Sequence, residues 1–195
     1  VRNNTIRTAV AGISLSGFVH DSLVANNDLI HLPSSAFPGR YAGVRYTSVS
    51  SEIDNGNNGI RAQIKGNVIV VKNGVDPASR AIELTYGIYA GYPISDAWKK
   101  RYPHITVEGN TLYGGGISVS DAINACRILN NTFQGGNDDT HRIVCLSTAN
   151  VIAGNAFIDS GPHIKLGPVP VGGEYQYSTE NRVGGNVYLF TPVNE

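Results

Sequence analysis

The chain contains no methionine, two cysteines and one tryptophan, and only 15% of its 195 residues are charged. Each shortage excludes something. Without methionine, Val1 is not a natural translation start, and the expectation is a single domain over residues 1–195 cut from a longer chain. Cys126 and Cys145 are too few for a disulfide framework and lack the paired spacing of a metal site. Both are expected to be small, buried and reduced. The longest apolar run, Val68-Ile69-Val70-Val71, is far short of the roughly 20 residues a membrane-crossing helix needs, and no signal peptide is visible. Charge is scarce against the usual ~25% and evenly divided, 15 Lys and Arg against 15 Asp and Glu. A zero balance with no basic block argues against a nucleic-acid partner. It also argues against disorder, which combines high net charge with few β-branched residues.

Glycine is abundant, with 23 residues, and the reason lies in a repeat. An apolar residue, two spacers, Asn, one spacer and a large apolar residue recur seven times, around Asn4, Asn27, Asn67, Asn110, Asn131, Asn155 and Asn186. Examples are Val107-Glu108-Gly109-Asn110-Thr111-Leu112 and Ile128-Leu129-Asn130-Asn131-Thr132-Phe133. The intervals are 23, 40, 43, 21, 24 and 31 residues. The residue before the Asn is always Asn or Gly, the two types that tolerate a left-handed backbone. Each motif therefore reads as strand, one-residue bend, strand, with the Asn amide free to bond its counterparts above and below.

A second column runs about ten residues ahead in the compact repeats. It comprises Ile13-Ser14-Leu15, Val44-Arg45-Tyr46, Ile82-Glu83-Leu84, Ile117-Ser118-Val119 and Ile164-Lys165-Leu166. Apolar residues two apart mark strands with one buried face. In Ile143-Val144-Cys145-Leu146 the phase is ambiguous. Coils of 21 to 24 residues with short strands and no helix make an all-β parallel solenoid, a right-handed parallel β-helix of about seven coils, whose stack at ~4.8 Å per coil spans roughly 30 Å. Phe133, Phe157 and Tyr188 are expected to stack inside. The longer intervals are coils with inserted loops.

On this Asn ladder the sequence resembles the right-handed parallel β-helix superfamily of pectin and pectate lyases, polygalacturonases and bacteriophage tailspikes. The resemblance covers nearly the whole chain and is specific for fold rather than activity. It implies an extended glycan lying along the outer face of one sheet, a place outside the cell or on a virion surface, and a homotrimer if the chain is tailspike-like. No cofactor is implied. A calcium site like that of pectate lyases needs clustered carboxylates, and the acids here are scattered.

With the interior packed, chemistry belongs on outward positions or inserted loops. Three candidates stand out. Arg45 and Glu83 fall on adjacent coils, where they are either a catalytic carboxylate with an arginine for a sugar carboxylate, or a cross-strand ion pair. Lys65 and Glu108 match in the same way and read as a pair. Asp138, Asp139 and His141 crowd the entrance of a strand, where neighbouring carboxyls could divide acid and base roles. Polygalacturonases carry an Asp-Asp pair at a comparable place, but their Asn-Thr-Asp, Gly-His-Gly and Arg-Ile-Lys motifs are not intact here. The competing reading is an ordinary turn. The long insertion supplies Tyr86, Tyr89, Tyr92, Trp98, Lys99, Lys100, Arg101 and Tyr102. Aromatic faces stack on sugar rings and the cations suit an acidic glycan; the alternative is a satellite core against the solenoid wall.

Two functions follow from different classes. One is a polysaccharide depolymerase acting by hydrolysis, elimination or epimerisation on an extended, acidic glycan. The other is a non-catalytic glycan-binding or structural segment of a virion or cell-surface protein. A protein-binding solenoid is a third.

Overall fold

A computed structural model describes residues 1–16, 21–36, 39–49, 61–72, 79–87, 104–120, 123–135, 142–161, 163–171, 174–177 and 180–189. Strands are numbered in chain order. The first sheet has seven, β1 (Thr5–Thr8), β4 (Asp28–His31), β7 (Val68–Val70), β10 (Thr111–Tyr113), β13 (Thr132–Gln134), β16 (Ala156–Ile158) and β21 (Val187–Leu189). The second has six, β2 (Ala11–Ser16), β5 (Ala42–Val49), β8 (Arg80–Gly87), β11 (Ile117–Val119), β14 (Ile143–Cys145) and β17 (Ile164–Leu166). The third has six, β3 (Ser22–Ala25), β6 (Ala62–Lys65), β9 (Thr106–Glu108), β12 (Arg127–Leu129), β15 (Val151–Ala153) and β20 (Arg182–Gly184). Every neighbour within these sheets is parallel, and each strand pairs with its equivalent one coil away. The chain is a parallel β-helix, each coil passing from the third sheet to the first and then the second.

The asparagines form the ladder that the repeat implies. Asn4 Nδ2 donates to Asn27 Oδ1 at 3.0 Å, Asn27 to Asn67 at 2.9 Å and Asn67 to Asn110 at 2.9 Å. The chain of bonds continues through Asn131 and Asn155 to Asn186. Each backbone N–H along it also donates to the next Oδ1, as Asn110 does to Asn131 at 3.0 Å. The residue before each Asn is left-handed in all seven motifs: Asn3, Asn26, Gly66, Gly109, Asn130, Gly154 and Gly185 have φ between 53° and 67°. That bend turns the chain from the third sheet to the first and aims the amide along the axis.

Inward residues follow the repeat. Val24, Ile64, Val107, Ile128 and Ile152, three before the Asn, are fully buried, as are Leu29, Ile69, Leu112 and Phe133, two after it. The second sheet adds Val44, Tyr46, Ile82, Leu84, Ile117, Val119, Ile143 and Cys145. The pairing Ile117↔Ile143 and Val119↔Cys145 resolves the ambiguous strand, so Val144 faces outward. Phe133, Phe157 and Tyr188 stack with centroids 4.9 and 5.3 Å apart, but Tyr188 is 45% exposed because it belongs to the last described coil. At the corner between the first and second sheets the coils approach closely. A Cβ on Gly43 would meet the Ile69 side chain and the Ala81 carbonyl, so only glycine fits.

Cys126 and Cys145 are buried and free, in different columns. Burial pushes both thiols up, with the neighbouring Cys145 adding to the effect on Cys126. Outside the three sheets, β18 (Pro168–Val171) and β19 (Glu174–Tyr177) pair as an antiparallel ribbon. Among the described residues no helix is long and apolar enough to cross a membrane.

Asn131 sits mid-ladder with four side-chain bonds, to Asn110 N and Nδ2, Val107 O and Asn155 Oδ1. Asn131→Ala strands a buried N–H and a buried carbonyl, at ~1–3 kcal/mol each, so it is expected to lower unfolding free energy by about 3 kcal/mol or more. Asn4→Ala, at the exposed end, is expected to cost under about 1 kcal/mol. Urea unfolding curves distinguish the two; equal midpoints would contradict the ladder's role.

Candidate functional site

The outward face of the second sheet carries the Arg45–Glu83 site read from the sequence. β5 and β8 have eight residues each, and their alternation turns Arg45 and Glu83 outward at matched register. Arg45 Nε donates to Glu83 Oε2 at 2.8 Å. The second carboxylate oxygen, Oε1, pairs with Arg40 Nη2. Glu83 is only 2% exposed, whereas the Arg45 and Arg40 side chains are 31% and 42% exposed. One buried carboxylate thus fixes two half-exposed guanidiniums, leaving one positive charge in excess. Burial first, and the Arg40 charge second, pull the Arg45 guanidinium below its ordinary value; arginine keeps its proton in proteins all the same.

Hydroxyls flank the cluster. Thr47 and Thr85 lie two register positions on from Arg45 and Glu83, with Oγ1 atoms 3.2 Å apart. Ser16 pairs with Thr47 in register; on the far side the Ser120 N–H bonds Leu84 O, and the Ser120 hydroxyl itself is buried. Ser14 and Ser118 are the register neighbours of Arg45 and Glu83. The face therefore presents two parallel columns of polar groups, repeated at the ~4.8 Å coil spacing. Chemically it can donate hydrogen bonds from the free edges of two guanidiniums and from several hydroxyls. Both oxygens of Glu83 already serve arginines, which suits holding the cations in place.

Other sequence-derived sites are placed as follows. Lys65 and Glu108 share register, but Lys65 Nζ donates to Gln63 Oε1 at 3.0 Å instead of meeting Glu108. Exposed lysine stems have more than one partner in reach, and such pairs contribute little. The backbone of Tyr86 lies in β8, but its side chain is outside the described residues. Tyr89, Tyr92, Trp98, Lys99, Lys100, Arg101 and Tyr102 lie outside them altogether, as do Asp138, Asp139 and His141. Among the described residues no three His, Cys, Asp or Glu side chains gather as a metal site.

Several groups escaped the sequence reading. Arg40 precedes its strand outside any repeat, so no column signalled it. The hydroxyls two residues beyond Ser14, Arg45 and Glu83 were available from strand alternation. A second amide ladder runs from Asn150 to Asn181, where Asn150 N and Nδ2 donate to Asn181 Oδ1 at 2.9 and 2.8 Å. It lies five residues before the main ladder, the offset at which Cys126 stands one coil earlier. Arg142 is buried at 2%. Two histidines are held below the ordinary imidazole value. Burial lowers His31, helped by Lys72, and burial lowers His163, helped by Arg142.

Comparison with protein-family models, with curated proteins and with solved structures finds no match to this chain. What is established is the class, a parallel β-helix with an internal amide ladder.

The lowered histidines set a pH dependence. Their folded values lie below the ordinary 6.5, so below that pH the unfolded chain binds protons the folded chain refuses. Stability is full above about pH 6.5 and falls as pH drops from there toward the folded values. Thermal melts between pH 7.5 and 5 are expected to show a falling Tm in a window above carboxylate titration. His163→Phe, which keeps the ring beside Phe157 and Tyr188, is expected to flatten part of that slope. An unchanged slope would contradict it.

Proposed function

We propose that the chain engages an extended anionic glycan along the outward face of the second sheet. The Arg40–Glu83–Arg45 cluster carries this reading. A carboxylate buried on an outward face, spent on orienting two accessible guanidiniums, makes a preorganised donor pair for an acidic group. The adjoining hydroxyl columns suit the hydroxyls of successive sugar units. The fold supports the same reading by analogy with pectin-lyase-like enzymes and tailspike depolymerases, which belong to the same architecture. In this proposal the chain is a polysaccharide-acting β-helix of a virion or cell surface, trimeric if tailspike-like. Tyr86, Tyr89, Tyr92, Trp98, Lys99, Lys100, Arg101 and Tyr102 supply further glycan contacts, and Asp138, Asp139 and His141 supply acid–base chemistry.

A second reading, a glycan-binding segment without turnover, is favoured by the engagement of both Glu83 oxygens. Glu83 in that state positions Arg40 and Arg45 and has no free oxygen for a substrate proton.

Calorimetric titration at pH 7.5 with uronate-bearing and neutral polysaccharides tests the proposal. The acidic polymer is expected to bind, more weakly as salt rises. Arg45→Ala is expected to weaken binding about tenfold or more, in line with the ~1.5–3 kcal/mol of a charge-assisted bond. Equal binding of the neutral polymer, or none of either, would contradict it. Alanine at both Asp138 and Asp139 separates the two readings: loss of cleavage with retained binding supports the enzyme, and absence of cleavage in the parent supports the binding segment.

A further inference from the structure

His31 closes β4 and Tyr41 stands just ahead of β5, at the two ends of the 32–40 connection. Their rings stack, with centroids 4.3 Å apart and planes 10° from parallel. The pair is sealed, His31 being 1% exposed and Tyr41 fully buried. Neither His31 Nδ1 nor the Tyr41 hydroxyl has a hydrogen-bond partner among the described residues. The Tyr41 backbone is tied into the solenoid, its N–H donating to Ser79 Oγ at 3.0 Å and its carbonyl accepting from Arg80 N at 2.9 Å. The residue immediately before it is Arg40, the partner of Glu83.

We infer that the His31–Tyr41 stack is a pH-sensitive clip that sets the position of Arg40, so that the Arg40–Glu83–Arg45 site is assembled at neutral pH and loosened in acid. The inference rests on the proposed function only in naming what that site binds. The groups around the imidazole give the physical reason. From β1 its register partner is Thr8, while Arg7, paired with Ile30, is exposed on the opposite face. From the chain leaving β7 comes Lys72, whose charge acts on it. From the start of β5 come Tyr41 and, beside it, Arg40. Among the described residues the one charge shown to act on the imidazole is the Lys72 cation, Arg40 being paired with Glu83, and no carboxylate pairs with His31. A proton there creates a buried cation near Lys72, with two N–H donors and no acidic acceptor among the described residues. Swinging the ring into water relieves this, and the stack that holds Tyr41 is lost with it.

Amide exchange by NMR on the 15N-labelled protein, at pH 7.5 and 5.5 and corrected for intrinsic rates, tests the clip. No glycan is present, so this experiment and the binding titration fail independently. The Tyr41, Ala42 and Arg80 amides are expected to lose at least tenfold protection at pH 5.5, while those of β12 and β13 hold. The Arg40 Nε–H signal should shift with the same midpoint as the His31 ring titration. His31→Phe, which stacks but cannot take a proton, should keep protection at both pH values; His31→Gln, with no ring, should lose it at both. If His31→Phe fails to fold, the coincidence of the three midpoints in the parent decides. Protection retained by the parent at pH 5.5, the same loss in His31→Phe, or non-coincident midpoints would overturn the inference.

Discussion

Everything in this molecule depends on one amide bonding the next along the axis. An Asn side chain has an acceptor oxygen and a donor nitrogen, so a stack of them can be extended indefinitely with each link using both ends. Buried, these groups would be costly if unpaired; paired, they fix the register of every coil to one residue. Because the ladder fixes register at a single point, the rest of a coil is free to vary. Intervals of 40 and 43 residues close on the same ladder as one of 21. The left-handed residue ahead of each Asn is the local condition for this, which is why Gly and Asn alone stand there.

Fixed register has a consequence for chemistry. Outward side chains on neighbouring coils are held about one strand spacing apart without their own contribution to folding. Arg45 and Glu83, 38 residues apart in sequence, meet at 2.8 Å because their coils are aligned elsewhere. The same alignment lines up Thr47 with Thr85. A surface of this kind can be built from residues whose identity the core does not constrain, which makes it suited to reading a repeating polymer. The insertions enter between first and second sheets or second and third, where no ladder bond is broken. Arg40 comes from one of them and completes a pair that the repeat alone left half made.

The fold was legible because both of its determinants are periodic in the sequence: the Asn with its left-handed predecessor, and apolar residues at fixed offsets. Tyr188 shows the limit, since the motif gives its column but not whether a further coil covers it. Arg45 with Glu83 was legible as a juxtaposition, being in phase on adjacent coils. What was not legible is the environment that decides its character. Arg40 lies in a non-repeating connection, and Glu83 is buried on a face that the alternation marks as solvent-facing. His31 and Tyr41 have the same origin, buried polar rings at the mouth of an insertion, where neither period two nor the ladder spacing speaks. Asn150 and Asn181, by contrast, lay in a readable column whose earlier members are not asparagines.

The central claim is the continuous amide ladder, and the most direct measurement is through-space NMR between side-chain amides. The account expects contacts between the Nδ2 protons of Asn67 and Asn110, Asn110 and Asn131, and Asn131 and Asn155, together with the parallel pairings of Leu112 with Phe133 and Phe133 with Phe157. Absent amide contacts, or close α-proton pairs of the antiparallel kind between those strands, would contradict it.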